Sequence, residues 1–180
     1  MDAKTPRASE VTLSQVMLIS DANPWGNVHG GTIMKLVDTA GAIAAHRHGR
    51  RRVVTAEMDS MIFRSPVHVG DLVTITARVT AVWETSLETR VEVEAENVLT
   101  GERRHTSSAY LVYVALDDQG RPTPFPPLEL ETDEDRATAR SADARRRQRL
   151  AARAERRPPL PGRASGRAER APLADEPKLR

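Results

Sequence analysis

The stretch that decides the fold is residues 21–48, DANPWGNVHGGTIMKLVDTAGAIAAHRH. It opens with turn-forming residues, passes through a Gly-Gly pair and continues as an apolar run. Between residues 32 and 45 only Lys35 and Asp38 are charged, and apolar residues fall on every side of a helical wheel. The pattern predicts a long helix buried almost all round. Because a buried carboxylate is costly, Asp38 needs either a polar partner or a function.

The segments around this helix alternate apolar and polar residues with the period of a β-strand. One predicted strand precedes the helix, and four follow it with mostly short connections. We therefore expect an α+β fold, an antiparallel sheet of about five strands wrapped around one long central helix. Charged residues at every second position of the fourth strand predict that one of its faces is in contact with water. The predicted strands cover residues 10–19, 53–63, 72–83, 86–97 and 105–116.

The composition changes along the chain and predicts four parts. Residues 1–9 are expected to be a disordered leader and residues 10–127 the folded domain. Residues 128–157 are charged and Ala-rich, which predicts an exposed helix, and residues 158–180 are expected to be a disordered basic tail. The net charge of +2 conceals an asymmetry, because residues 145–180 hold 12 basic and 4 acidic side chains. The basic character therefore belongs to the tail rather than to the domain.

Several classes of protein are disfavoured by what the sequence lacks. The chain has no cysteine, so neither a disulfide framework nor a cysteine zinc site is available. No apolar run approaches the roughly 20 residues of a membrane span, and the first residues lack the apolar core of a signal peptide. His46 and His48 do not share a helix face, which disfavours a metal site there. We expect a cytoplasmic protein with no metal.

Four motifs in this order resemble the hotdog-fold acyl-CoA thioesterases, specifically their cytosolic acyl-CoA hydrolase branch. They are DANPWGNVHGG before the helix, MKLVDTAG within it, FRSPVHVGD after the second strand, and SSAYLVYVALDDQGRPTPFP at the end of the domain. The resemblance covers about residues 10–127. It implies hydrolysis of acyl-CoA to a free fatty acid and CoA, without a metal or redox cofactor.

The chemistry of thioester hydrolysis can be assigned to residues of these motifs. It requires an activated water and donors for the negative charge that develops on the carbonyl oxygen. The resemblance makes Asp38 the catalytic residue, either as general base or as nucleophile. It also assigns carbonyl polarisation to the Gly31 or Gly30 N–H, and water or carbonyl positioning to Asn23. The alternative for Asp38 is a structural ion pair with Lys35.

Other residues of the motifs are candidates for substrate binding. Arg64 and Ser65 are expected to meet the phosphates of CoA, and Ser86 with Arg90 is a weaker pair of candidates. His29 is a candidate for substrate contact beside Gly30, although capping of the helix is the favoured interpretation for this residue.

The resemblance further implies a dimer whose two sheets join edge to edge, and in many relatives three such dimers form a hexamer. Asn23 and Asp38 of one active site would then come from different chains. Two other functions stay open. A hotdog enoyl-CoA hydratase fits the start of a D-x-N-P motif, but its histidine is expected directly after Pro24. A non-catalytic acyl-CoA-binding regulator is the second alternative, and nucleic-acid binding by the basic tail is disfavoured against a solvated tail.

Overall fold

The computed structural model describes residues 1–156, so the predicted basic tail at residues 158–180 lies outside the described residues. Five antiparallel strands form one sheet in the order β1-β3-β4-β5-β2, which matches the predicted α+β architecture. Short 3-10 turns at Arg7–Ser9 and Ile19–Asp21 flank the first strand. The main elements are β1 Val11–Val16, α1 Gly30–Gly49, β2 Arg52–Phe63, β3 Leu72–Val82, β4 Ser86–Glu96, β5 Arg103–Leu116 and α2 Asp133–Arg156.

Helix α1 lies against one face of the sheet and contacts every strand. Its buried face carries small and branched apolar residues that join the main hydrophobic core. Gly41 has a packing reason, because a Cβ at that position would collide with the Tyr113 hydroxyl on β5. The opposite side of the helix, with Met34, Lys35 and Thr39, is exposed in the single chain. The prediction of a helix buried almost all round is therefore wrong for one chain on its own.

The prediction of a disordered leader at residues 1–9 is wrong. The Lys4 backbone N–H donates to the Pro127 carbonyl at 3.0 Å, and the Glu129 N–H donates to the Lys4 carbonyl at 2.9 Å. The Lys4 ammonium group donates to the carbonyls of Arg47 and His48 at the end of α1. No periodic pattern in these residues predicts this order, because it comes from contacts with distant residues.

Helix α2 is shorter than predicted at its start and is not an exposed helix. Thr132 caps its N-terminus, since the Thr132 hydroxyl accepts from the Asp135 N–H at 3.0 Å. The helix packs on the sheet face opposite α1, where Ala142 and Arg149 become buried. Glu88 on β4 is fully buried beneath it, so α2 covers the start of the face of β4 that was expected to be wet. Further along the same face Glu94 is exposed, as predicted. The sequence could not show this docking, because both surfaces are charged.

Candidate active site

Asp38 lies near the middle of α1 and is half-buried. Its Oδ1 accepts a hydrogen bond from the Thr55 hydroxyl at 2.8 Å. The Tyr113 hydroxyl lies 3.2 Å from the same oxygen and 3.0 Å from the Asp38 carbonyl oxygen, so one proton is shared between them. Among the described residues, no salt bridge joins Asp38 to Lys35. The alternative of a structural Lys35–Asp38 ion pair is therefore wrong.

Thr55 and Tyr113 are the site residues that sequence reasoning missed. They are direct partners in the β2–β5 register, and both side chains point toward α1. Burial, and then the charge of Asp38, raise the pKa of the Tyr113 hydroxyl, which therefore stays protonated and remains a donor. The signal that was available is a polar residue at an inward position of an otherwise apolar strand.

The start of α1 is capped by His29, as the favoured interpretation had it. Its Nδ1 accepts a hydrogen bond from the Gly31 N–H at 2.9 Å. This has a consequence for the predicted oxyanion donor, because the Gly31 N–H already has an acceptor within the chain. In the described part of the chain, the Gly30 N–H has no such acceptor. Gly30 therefore presents the free N–H at the positive end of the helix dipole.

A cavity of about 390 Å³ opens beside the start of α1. It brings together three of the predicted residues, Gly30, Arg64 and Ser65. The ring of Phe63 forms one wall, close enough that a Cβ on Gly30 would stand 3.6 Å from it. Apolar walls with a few polar groups are typical of a ligand site. The cavity is lined by Asn27, Val28, Gly30, Ile33, Phe63, Arg64, Ser65, Pro66 and Val67.

Ser86 does not join this cavity, and its prediction as a substrate-binding residue is not supported by its place. It lies at the start of β4 in a separate cavity of about 200 Å³, which also contains Arg146, Arg149 and Arg153 of α2. Because side chains alternate along a strand, Ser86 and Glu88 share the sheet face opposite α1. Arg90 is on this face too, where it forms an ion pair with Glu92.

Asn23 lies in the loop before α1, where its side chain organises the turn. Its Oδ1 accepts from the backbone N–H groups of Trp25 at 2.9 Å and Asn27 at 3.2 Å. The loop is held against the β2–β3 connection, because the Asn27 side chain is 3.0 Å from Nδ1 of His68. Within the described chain, no hydrogen bond connects Asn23 to Asp38. One chain therefore does not bring the two predicted catalytic side chains together.

The exposed side of α1 continues into an apolar edge of the sheet. Among residues 1–156, strand β2 pairs only with β5, and no described strand covers its other edge. Met34 on α1 is 41% exposed, and on β2 Val54, Ile62 and Phe63 are 43%, 52% and 50% exposed. An exposed apolar strand edge is a site for pairing with another chain.

Residues 1–156 contain neither a cluster of metal-ligating side chains nor a helix that could span a membrane. Within this range, no group of three His, Asp or Glu side chains is arranged to hold a metal ion. The rings of His46 and His48 are bonded instead to the carbonyls of Ala42 and Pro126. None of the helices in the same range combines the length and the apolar character that crossing a bilayer requires.

Comparison with known sequences identifies similar proteins. The profile of the Thioesterase superfamily matches residues 26–102. A Bacillus subtilis strain 168 protein, named uncharacterized acyl-CoA thioester hydrolase YkhA, is 37% identical over 129 residues, spanning 72% of this chain and 75% of that protein. The cytosolic acyl coenzyme A thioester hydrolase of Rattus norvegicus is 36% identical over 138 residues. That match spans 73% of this chain and 36% of the rat protein, so the chain covers about a third of the relative's length.

Comparison with solved structures gives the same picture. The crystal structure of an apo-hexameric acyl-CoA thioesterase matches with a TM-score of 0.82 and 34% identity, over 87% of this chain and 100% of the other. The acyl-CoA hydrolase of Staphylococcus aureus in complex with butyryl coenzyme A, coenzyme A and coenzyme A disulfide has a TM-score of 0.79 and 31% identity, over 85% and 93%. Mutants of that enzyme with alanine for an aspartate, an asparagine or a threonine have also been solved.

Proposed function

Because this chain belongs to the hotdog-fold acyl-CoA thioesterases of the thioesterase superfamily, we propose that it hydrolyses acyl-CoA to a free fatty acid and CoA. The observation that carries the proposal is the state of Asp38. Its Oδ1 is held by the hydroxyls of Thr55 and Tyr113, while its Oδ2 accepts no hydrogen bond from any described residue. A fixed carboxylate with one free oxygen is suited to take a proton from water.

The reaction proceeds in two steps. Oδ2 of Asp38 takes a proton from a water molecule, whose oxygen forms a bond to the thioester carbon while the carbonyl oxygen becomes negative. The tetrahedral intermediate then collapses, the carbon–sulfur bond breaks, and the proton held by Asp38 passes to the departing CoA thiolate. The alternative is direct attack by the Asp38 carboxylate on the thioester carbon. This attack forms a mixed anhydride and releases the CoA thiolate, and water then hydrolyses the anhydride.

Negative charge on the carbonyl oxygen needs N–H donors, and the first turn of α1 supplies them. Gly30 offers its free N–H directly. The Gly31 N–H becomes available when the imidazole of His29 rotates away, or when this N–H donates to His29 and to the carbonyl oxygen at once. Asn23 adds its side-chain amide, whose N–H donors are not used in the turn that its Oδ1 organises.

The spacing of three residues supports this assignment. In the Staphylococcus aureus enzyme, the altered asparagine, aspartate and threonine follow one another at intervals of 15 and 17 residues. Asn23, Asp38 and Thr55 follow one another in the same order at the same intervals. The equal spacing supports grouping Thr55 with Asn23 and Asp38 in the proposed site.

The active site is completed by a second copy of the chain. Support comes from the free apolar edge of β2 and from the separation of Asn23 and Asp38 within one chain. Two sheets joined at β2 set the two α1 helices side by side, so that Asp38 of one protomer meets the loop of its partner. Three such dimers would give a hexamer, the state named for a similar thioesterase.

The proposal also covers the binding of CoA, the need for a cofactor and the cellular location. The phosphates of CoA bind at the rim formed by Arg64 and Ser65, beside the cavity at the start of α1. The chemistry uses a carboxylate, water and N–H donors, and therefore needs no metal or redox cofactor. The place of action is the cytoplasm, which is supported by the cytosolic relative.

The experiment that tests the proposed reaction compares two activities of the purified full chain. Release of free thiol is measured with acyl-CoAs from short to long, and loss of the conjugated double bond is measured with an enoyl-CoA. Thiol release with unchanged enoyl-CoA supports hydrolysis. Hydration without thiol release would establish the hydratase instead, and CoA binding without either reaction would establish the regulator.

A further inference from the structure

We infer that Tyr113 is a positioning residue that, together with Thr55, decides which oxygen of Asp38 does the chemistry. Both hydroxyls approach Oδ1, which leaves Oδ2 to face the water and the thioester. The inference rests on the proposed function, because it assigns a role within that same site. It goes further by naming a buried residue that does not touch the substrate.

The Tyr113 side chain reaches Asp38 through a gap in the surface of α1. Tyr113 has no exposed surface, and its hydroxyl reaches the body of α1 through the space that Gly41 leaves open. Close approach of a side chain to a helix backbone requires a residue without a Cβ at the point of contact. Gly41 and Tyr113 therefore act together. The glycine leaves room for the Tyr113 hydroxyl, and this hydroxyl contacts the Asp38 carboxylate, which lies one helical turn before Gly41.

Two donors on one oxygen restrict the carboxylate more than either does alone. Rotation of the Asp38 side chain would exchange its two oxygens, and this exchange would break both hydrogen bonds at once. Thr55 is exposed, so water competes with its hydroxyl for Oδ1. Tyr113 is shielded from water, and its hydroxyl also approaches the Asp38 carbonyl at 3.0 Å, which ties the side chain to the helix backbone. The buried donor is therefore the more permanent one.

The charged groups around this contact are few. Tyr113 faces Asp38 on α1, Thr55 on β2 and Thr89 on β4. Lys35 is the other charged residue in the middle of α1, and it is exposed. Removal of the Tyr113 hydroxyl therefore acts on Asp38 first. A carboxylate that loses one of two donors on the same oxygen is less firmly oriented, so the chemical step slows while substrate binding is kept.

The test compares Tyr113→Phe with Tyr110→Phe in thiol release from an acyl-CoA that the wild type hydrolyses. Tyr110 lies on the same strand with its ring under Arg145 of α2, so the control removes the same group away from the site. For Tyr113→Phe we expect kcat to fall about 10- to 100-fold with KM within about twofold, as for a lost hydrogen bond to a charged group. Tyr110→Phe should match the wild type in both respects.

A second measurement does not depend on activity. The chain has two tyrosines, so in a Tyr110→Phe background Tyr113 is the one site for incorporated fluorotyrosine. Its fluorine resonance should move when Asp38→Asn is added. A folded Tyr113→Phe protein with wild-type kcat would overturn the inference. A fluorine resonance that stays at the same chemical shift when Asp38→Asn is added would also overturn it. A wild type without thiol release would instead overturn the proposed function, while the resonance still tests the contact.

Discussion

At the scale of single residues, Asp38 is stabilised by neutral hydroxyl groups instead of a cation. Thr55 and Tyr113 both contact its Oδ1, whereas Lys35, one turn earlier in the helix, is exposed. A lysine in direct contact would compete with substrate water and hold the carboxylate in an ion pair. Hydroxyl donors satisfy part of the carboxylate and leave one oxygen for chemistry. This arrangement is what a general base in a half-buried position requires.

His48 is the other buried titratable group of α1, and it predicts how stability depends on pH. Burial lowers the pKa of the imidazole, and the nearby Lys4 ammonium lowers it further against the hydrogen bond to the Pro126 carbonyl. In the unfolded chain, His48 has the ordinary histidine pKa of about 6.5. Below this pH, His48 binds a proton in the unfolded chain more readily than in the folded chain. The free energy of unfolding should therefore decrease as the pH falls from about 7.5 to about 5.5. Urea denaturation at a series of pH values measures this decrease.

His48→Gln should weaken this decrease, because glutamine does not titrate and still offers a donor for the Pro126 carbonyl. His46→Gln is the matched control on the exposed face of the same helix turn, and it should keep the wild-type pH dependence. An equal pH dependence in the wild type and His48→Gln would show that another group is responsible.

At the scale of elements, α2 is attached to the sheet mainly by charge. Three arginines one turn apart, Arg145, Arg149 and Arg153, form ion pairs with carboxylates of the sheet. Arg149 contacts both Asp59 and Glu88 and is almost completely buried. Arg145 also stacks on the Tyr110 ring at 3.7 Å. Arg145 and Arg149 are largely buried against the sheet and are therefore unavailable for nucleic-acid binding, whereas Arg153 stays exposed beside its ion pair.

The ion pairs should differ greatly in their contribution to stability. Arg149→Ala leaves buried Glu88 and half-buried Asp59 without one partner, so we expect the free energy of unfolding to fall by about 3 kcal/mol. Arg153→Ala removes a pair whose arginine is 59% exposed, and less than about 1 kcal/mol should be lost. Urea denaturation measures both. Equal losses would contradict the view that burial decides the strength of these contacts.

The elements themselves could largely be predicted from the sequence, whereas two contacts between them could not. The strands and α1 follow from periodicity, and the Gly41 packing requirement follows from the cost of glycine in a helix. The docking of α2 and of residue Lys4 depends on side chains far apart in the chain, such as Arg149 with Asp59. Local patterns of charge predict exposure for such segments, and only the tertiary fold shows that opposite charges cover one another.

At the scale of the whole molecule, one chain carries only part of the proposed active site. No hydrogen bond joins Asn23 to Asp38 in the described chain, and the apolar strand β2 offers an edge for a partner. The sequence predicted Asp38, Gly30, Arg64 and Ser65 from local motifs, and the last three line one cavity in the structure. It missed Thr55 and Tyr113, since the β2–β5 pairing that brings them to Asp38 joins residues of distant segments.

A mixing experiment tests whether the site is shared between two chains. Asn23→Ala and Asp38→Asn should each be nearly inactive alone, but a heterodimer would contain one unmodified site. Equal mixing with subunit exchange should therefore restore about a quarter of the wild-type thiol release, since half the dimers are mixed and each has one of two sites intact. Wild type mixed with Asp38→Asn is the control for dilution. No recovery after demonstrated exchange would place both residues of a site in one chain.

One comparison of variants tests whether Asp38 activates the water that hydrolyses the thioester. Thiol release from a panel of acyl-CoAs is measured for the wild type, for Asp38→Asn and for Asp118→Asn, an exposed carboxylate as control. We predict that the wild type and Asp118→Asn turn over equally. Asp38→Asn should lose at least about 100-fold in kcat, the contribution typical of a positioned general base. Turnover by Asp38→Asn at the wild-type rate would contradict the account and place the chemistry at another residue.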